Sequence, residues 1–115
     1  MDDSQRELPV ADVPERLVEL SADARAAVLI DASGEARAAS GAADLDELAE
    51  CARELLRAVD RATEEPPAEL EAQVSGGSVF AVRRDDLMLV TVARRSALPS
   101  LMLYDMRTLL SGVDP

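Results

Sequence analysis

The chain has no histidine, no lysine and no tryptophan, a single cysteine, and only two aromatic residues, Phe80 and Tyr104. Each absence removes a class of chemistry. Without histidine, the commonest general base and metal ligand is missing. One cysteine and no histidine cannot build the usual zinc sites. Without lysine there is no Walker-type phosphate loop and no Schiff base. Two aromatic rings are poor equipment for stacking bases or sugars. Cys51 has no partner for an internal disulfide, so nothing points to an oxidising compartment. The 23 acidic residues leave a carboxylate pair open as an acid–base device, but nearly all lie in polar runs that read as solvated faces. The expectation is a protein that binds rather than catalyses, with no cofactor, no metal and no small-molecule substrate.

Charge narrows the partners. The net charge of −11 argues against nucleic acid and against anionic membrane surfaces, which need clustered cations. All 12 cations are arginine, which reads as GC-rich coding bias. No apolar run is long enough to span a bilayer, and the acidic start Met1-Asp2-Asp3-Ser4 is unlike a signal peptide. A cytoplasmic protein is expected. At 115 residues the chain suits one domain with one real core. That domain is expected over 12–113, behind a flexible acidic tail at 1–11.

The periodicities place the elements. Asp12 is positioned to cap a first helix, with Pro14 in its first turn and Glu15 three residues after the cap. Val13, Leu17, Val18 and Leu20 form its apolar stripe. Ala26-Ala27-Val28-Leu29-Ile30 reads as a buried strand, Asp31-Ala32-Ser33-Gly34 as a hairpin turn, and 35–40 as a short return strand near an edge. Asp44 and Glu47 form a second capping box that opens a helix over 44–63. Its seam of Leu45, Leu48, Ala52, Leu55, Val59 and Ala62 steps by three and four residues. Ala49, Cys51, Leu56 and Ala58 widen that seam. A broad face on one core and a second apolar contact with another chain both explain the width.

Glu65-Pro66-Pro67 stops the helix. In 68–75, Leu70, Ala72 and Val74 alternate with Glu69, Glu71 and Gln73, the pattern of a half-exposed strand. Short turns at Gly76-Gly77 and Arg83-Arg84-Asp85-Asp86 join it to strands over 78–82 and 87–93. Pro99 opens a last helix carrying Leu98, Met102, Leu103, Met106, Leu109, Leu110 and Val113, which stops near Gly112. The order is α-β-β-α-β-β-β-α, an α/β (α+β) domain with a five-stranded, mainly antiparallel sheet and helices on both faces.

This order resembles the Roadblock/dynein-light-chain family, relatives of the longin and profilin-like folds. Three stretches carry the resemblance: the hairpin Arg25-Ala26-Ala27-Val28-Leu29-Ile30-Asp31-Ala32-Ser33-Gly34-Glu35, the long helix from Asp44, and the strands Ser78–Val82 and Leu87–Ala93 followed by Leu101-Met102-Leu103-Tyr104-Asp105-Met106-Arg107. The last is similar to the family's closing L-x-x-Y-E-[LM]-R helix. The similarity covers about 12–113. The return strand is shorter and richer in alanine than the family's, and the chain is more acidic.

The resemblance implies a non-enzymatic homodimer built through the long helix and the following edge strand. It also implies a Ras-like small GTPase as partner, whose nucleotide cycle or placement the dimer modulates, as in bacterial signalling. The implied interface comprises Leu48, Cys51, Ala52, Leu55, Leu56, Val59, Ala62, Leu70, Ala72 and Val74. Glu47, Glu50, Glu54 and Arg57 are candidates for docking the partner, or simply a salt-laced exposed face. Cys51 reads as a small buried hydrophobe, Asp31 as a turn residue, and Tyr104 as a packed ring with its hydroxyl at the surface. Arg83, Arg84, Arg94 and Arg95 read as solvated turns or as cations for a neighbour's acidic helix. The alternative is an acidic, dimeric secretion-type chaperone that holds an unfolded client segment. Two strands rather than three before the long helix favour the first reading.

Overall fold

A computed structural model gives the three-dimensional structure and describes residues 9–41, 44–62, 64, 68–74 and 77–112. The expected elements form in the expected order: α1 (Val13–Leu20), β1 (Ala24–Asp31), β2 (Ala36–Gly41), α2 (Leu45–Ala62), β3 (Glu69–Val74), β4 (Gly77–Arg84), β5 (Leu87–Ala93) and α3 (Pro99–Ser111). The strands make one sheet in the order β2-β1-β5-β4-β3, and every neighbouring pair is antiparallel. The first two and the last three strands are thus local hairpins or meanders. The central β1–β5 pairing joins them, and β2 and β3 are the edges.

Successive strand residues point to opposite faces, and the two faces differ in content. One is covered by α1 and α3. Leu29, Phe80, Val82 and Leu89 meet Val13 and Leu17 of α1 and Met102, Met106 and Leu110 of α3 there. The other carries Ala26, Val28, Ile30, Ala81, Met88 and Val90 against Leu48, Ala49 and Ala52 of α2. Thr91 is fully buried, and its hydroxyl donates to the Ala26 carbonyl at 2.7 Å, beside the register shift in the β1–β5 ladder. A buried hydroxyl without such a partner would be costly.

Turn chemistry follows the sequence at the β1–β2 hairpin. One Asp31 carboxylate oxygen accepts the backbone N–H groups of Ser33 (3.0 Å) and Glu35 (3.1 Å) and the Ser33 hydroxyl (2.6 Å). Gly34 takes φ +89, a conformation that favours glycine. Gly41 ends β2 at φ +125, where a Cβ would meet the Ala26 Cα at 2.4 Å. At the start of α2, the Asp44 carboxylate accepts the Glu47 N–H at 3.1 Å.

Several expectations are corrected. The tail does not extend over all of 1–11: Val10–Asp12 form a 3-10 turn, while 1–8 lie outside the described residues. That turn gives Asp12 a helical backbone (φ −96, ψ −8), unlike the extended one a cap requires, and its side chain makes no capping bond. Leu98 precedes α3 in an extended conformation and is 65% exposed, so it does not join the inner face built by Met102, Met106 and Leu110. The last turn of α3 is completed by Gly112 at φ −86 and by Arg84, whose guanidinium donates to the Leu110 carbonyl at 3.3 Å. Thr63, Glu65-Pro66-Pro67, Ser75-Gly76 and Val113 lie outside the described residues.

Candidate functional site

The long helix holds to one half of its sheet face. Leu48, Ala49 and Ala52 are buried, and small side chains on both partners (Ala26, Ala49, Ala52, Ala81) let helix and sheet approach closely. Two polar ties fix its position. Arg53 donates to the Gly34 carbonyl in the β1–β2 turn at 3.3 Å, and Asp60 pairs with Arg83 of β4 at 3.2 Å. α2 packs mainly on β1 and β2.

The rest of that face is left open as a groove of about 700 Å³. Leu48, Cys51, Ala52 and Leu55 form its helical wall. Ala72, Val79, Val90 and Val92 form its floor, and Asp44 and Glu47 stand at its rim. The surface is mainly apolar, with carboxylates confined to one margin.

The ten implied interface residues separate into groups. Leu48, Cys51, Ala52, Leu55 and Ala72 come together in the groove. Val59 and Leu70 share a small crevice with Leu55, Ala81 and Met88 beneath the end of α2. Leu56 faces the opposite flank, beside Asp31, Ala32, Leu87 and Met88. Ala62 is exposed at the end of α2, and the side chain of Val74 lies outside the described residues.

The reading of Cys51 as a buried hydrophobe is overturned, since it is exposed. Each helical residue is turned by about 100° from the last, so with Ala52 against the sheet, Cys51 points along the groove instead. Val79, Val90 and Val92 were not among the implied residues. Their signal was the alternation in β4 and β5, where they take the opposite face from Phe80, Val82, Leu89 and Thr91.

The charged residues of α2 also divide. Glu50 bonds Arg53 at 2.9 Å and meets Arg57 at 3.5 Å. The Arg53 hydrogen bond is the largest cause holding the Glu50 carboxyl below its ordinary value, with the charge of the same arginine next. The side chains of Glu47, Glu54 and Arg61 are exposed and make no hydrogen bond or ion pair among the described residues.

Arg83 is engaged by the acidic helix of its own chain rather than a neighbour's. Asp31 serves its turn, and its carboxyl is held low chiefly by the Ser33 hydroxyl, aided by backbone N–H groups and Arg37. Tyr104 is 57% exposed, so its ring is not packed as expected; it sits beside Arg107, which pairs with Glu69 of β3. Among the described residues, no group of three or more Asp, Glu or Cys could hold a metal ion, and no helix is long and apolar enough to cross a membrane.

No protein-family model matches the chain, and no curated protein matches it. Solved structures do. The Roadblock/LC7 domain from Streptomyces avermitilis superposes with a TM-score of 0.73 at 18% identity, covering 90% of this chain and 93% of that one. Myxococcus xanthus MglB gives 0.76 at 15% identity, covering 89% of each chain. Schizosaccharomyces pombe profilin gives 0.64 at 10% identity, covering 88% of this chain and 93% of that one. Identities this low speak to architecture, and at that level they agree with the resemblance carried by the hairpin, the long helix and the closing strands: the chain has the Roadblock/LC7 fold.

Proposed function

We propose that this chain is a non-catalytic regulatory or scaffold subunit that dimerises through the α2 groove and the β3 edge and binds a Ras-like small GTPase. The observation that carries the proposal is the unfinished face of the sheet. An apolar groove of about 700 Å³ stands open beside a strand edge that is unpaired among the described residues. Exposed contiguous apolar surface of this kind marks interaction sites, and an unpaired edge invites another strand. A second copy would cover both at once, because the groove floor runs onto β3 through Ala72. The acidic ridge of α2, with Glu47, Glu50 and Glu54, then remains beside the joint as a docking surface for a basic patch. The GTPase as partner follows from the Roadblock resemblance.

The test has two parts. Light scattering after size exclusion is expected to give twice the chain mass, and affinity capture from the native lysate is expected to recover a Ras-like GTPase with its nucleotide. Recovery of an extended, unfolded segment of an exported protein, with no GTPase, would replace this reading with the chaperone.

A further inference from the structure

We infer that the outer face of α3 is a second docking surface, built for an acidic amphipathic helix of another protein. It lies on the opposite side of the sheet from the α2 groove, and nothing in it depends on dimerisation or on a GTPase.

The first observation is where the exposed apolar side chains fall. Single exposed leucines are ordinary. Among the described residues, however, the exposed large hydrophobics are Leu20, Leu98, Leu101 and Tyr104, all from α1, α3 and the entry to α3. Leu98, Leu101 and Tyr104 step by three residues, while the inner side of α3 is already filled by Met102, Met106 and Leu110. The Arg94 N–H donates to the Asp23 carbonyl at 2.9 Å, which ties the link after α1 to the link before α3. Leu20 and Leu98 flank that tie. Apolar side chains gathered on one layer in this way mark an interaction site.

The second observation is a hollow at the other end of the stripe. About 310 Å³ opens between α3 and the β3–β4 edge, lined by Val82, Leu110, Tyr104, Arg84 and Arg107 among others. Arg84 is held by the Leu110 carbonyl, and Arg107 by Glu69, the one acid among the lining residues. Each of these bonds engages one nitrogen of a guanidinium that carries five N–H donors. Both cations are therefore held in place with donors left for an incoming carboxylate.

The third is the distribution of charge. Residues 77–112 carry five arginines and three aspartates, whereas the rest of the chain carries seven arginines and 20 acids. The stretch that supplies α3 and Arg84 is thus the one part of an acidic protein suited to an acidic partner. A helix lying along α3 meets all three features. Its apolar side chains, three and four residues apart, pack on Leu98, Leu101 and Tyr104, and acids in its end turn reach Arg84 and Arg107. An anionic membrane is a poorer fit, since a flat charged surface also confronts the acidic remainder of the chain.

Tyr104 is the only tyrosine and the chain has no tryptophan, so its emission reports this face alone. The experiment follows its fluorescence anisotropy as the full chain is titrated with a synthetic helix of about 18 residues, carrying leucines along one side and glutamates in its last turn. Saturable binding is expected, weakened about tenfold or more by Leu101→Asp and by Arg107→Gln and unchanged by Leu55→Asp in the groove. Circular dichroism checks that each variant is folded. No binding, or equal binding of a peptide with glutamines in place of the glutamates, would overturn the inference. So would binding lost in Leu55→Asp but kept in Leu101→Asp, which would move the site to the groove. Anisotropy that rises with protein concentration alone in Leu55→Asp would make the occupant a second copy. A rise with phosphatidylglycerol vesicles but not with the peptide would make it a membrane.

Discussion

The two faces of this sheet are built from one set of strands and finished in different ways. Beneath α1 and α3, large side chains close a continuous core: Phe80, Leu17, Leu29, Leu89, Met106 and Leu110 are all essentially without solvent contact. Beneath α2 the strands contribute Ala26, Val28, Ile30, Ala81 and Val90, and the helix contributes Leu48, Ala49 and Ala52. The lesson lies in coverage. Two helices span the first face, whereas one helix, tied at Gly34 and Arg83, covers only part of the second. The first face can be completed within the chain. The second has apolar surface that the described residues leave uncovered.

Substitutions should therefore separate the faces. The largest effect is expected at Phe80, the largest fully buried side chain of the closed face. Phe80→Ala removes an entire buried ring and should cost about 3–5 kcal/mol, seen in urea denaturation as a much lower midpoint with or without a partner present. A loss under about 1 kcal/mol, far below the range for emptying such a site, would mean that the closed face is not the stability-bearing one.

Leu55→Asp tests the open face. Leu55 is only half-buried and lines the groove, so the monomer should keep its circular dichroism spectrum while the proposed self-association and the proposed GTPase binding disappear together in light scattering and pull-down. A folded monomeric variant that still bound its GTPase would detach binding from the groove.

The smallest effect is expected at the hairpin on the far edge from β3. The Asp31 carboxyl is held below its ordinary value in the folded chain, so it stabilises the fold above about pH 4, the range where the unfolded group is ionised. That contribution fades as pH falls through the lowered folded value. Asp31→Asn should lower the melting temperature at neutral pH and flatten its dependence on acid, with no change in dimer affinity. An unchanged acid limb would show that the turn bonds do not matter to folding.

Much of this architecture was legible because local rules agreed with it. The five-residue apolar run at Ala26–Ile30, the Asp31/Gly34 turn and the alternation of Leu70 and Ala72 with Glu69 and Glu71 each had one natural reading. The Asp44 cap was legible too, since a carboxylate there reaches the Glu47 N–H within a single turn. The failures were places where a neighbouring element intervened. Asp12 lost its cap because Val10–Asp12 wound into a 3-10 turn first. Leu98 fell outside the inner face of α3 because the chain before Pro99 is extended. Cys51 and Leu56 both widened the seam of α2, yet one points along the groove and the other to the opposite flank. The groove floor was only half visible: Val79, Val90 and Val92 alternated correctly, but nothing local said which face α2 would leave open.

By itself, then, the sequence determined the element order, the antiparallel hairpins, the breadth of the long helix and the poverty of catalytic groups. These follow from periodicity, turn residues and composition, all properties of short stretches of chain. Only the tertiary structure decided that α2 stands over β1 and β2 rather than over the middle of the sheet, and hence that an apolar groove opens beside the helix. That placement depends on close packing of alanines from separate elements and on polar ties across 19 and 23 residues of chain, contacts that no local pattern encodes.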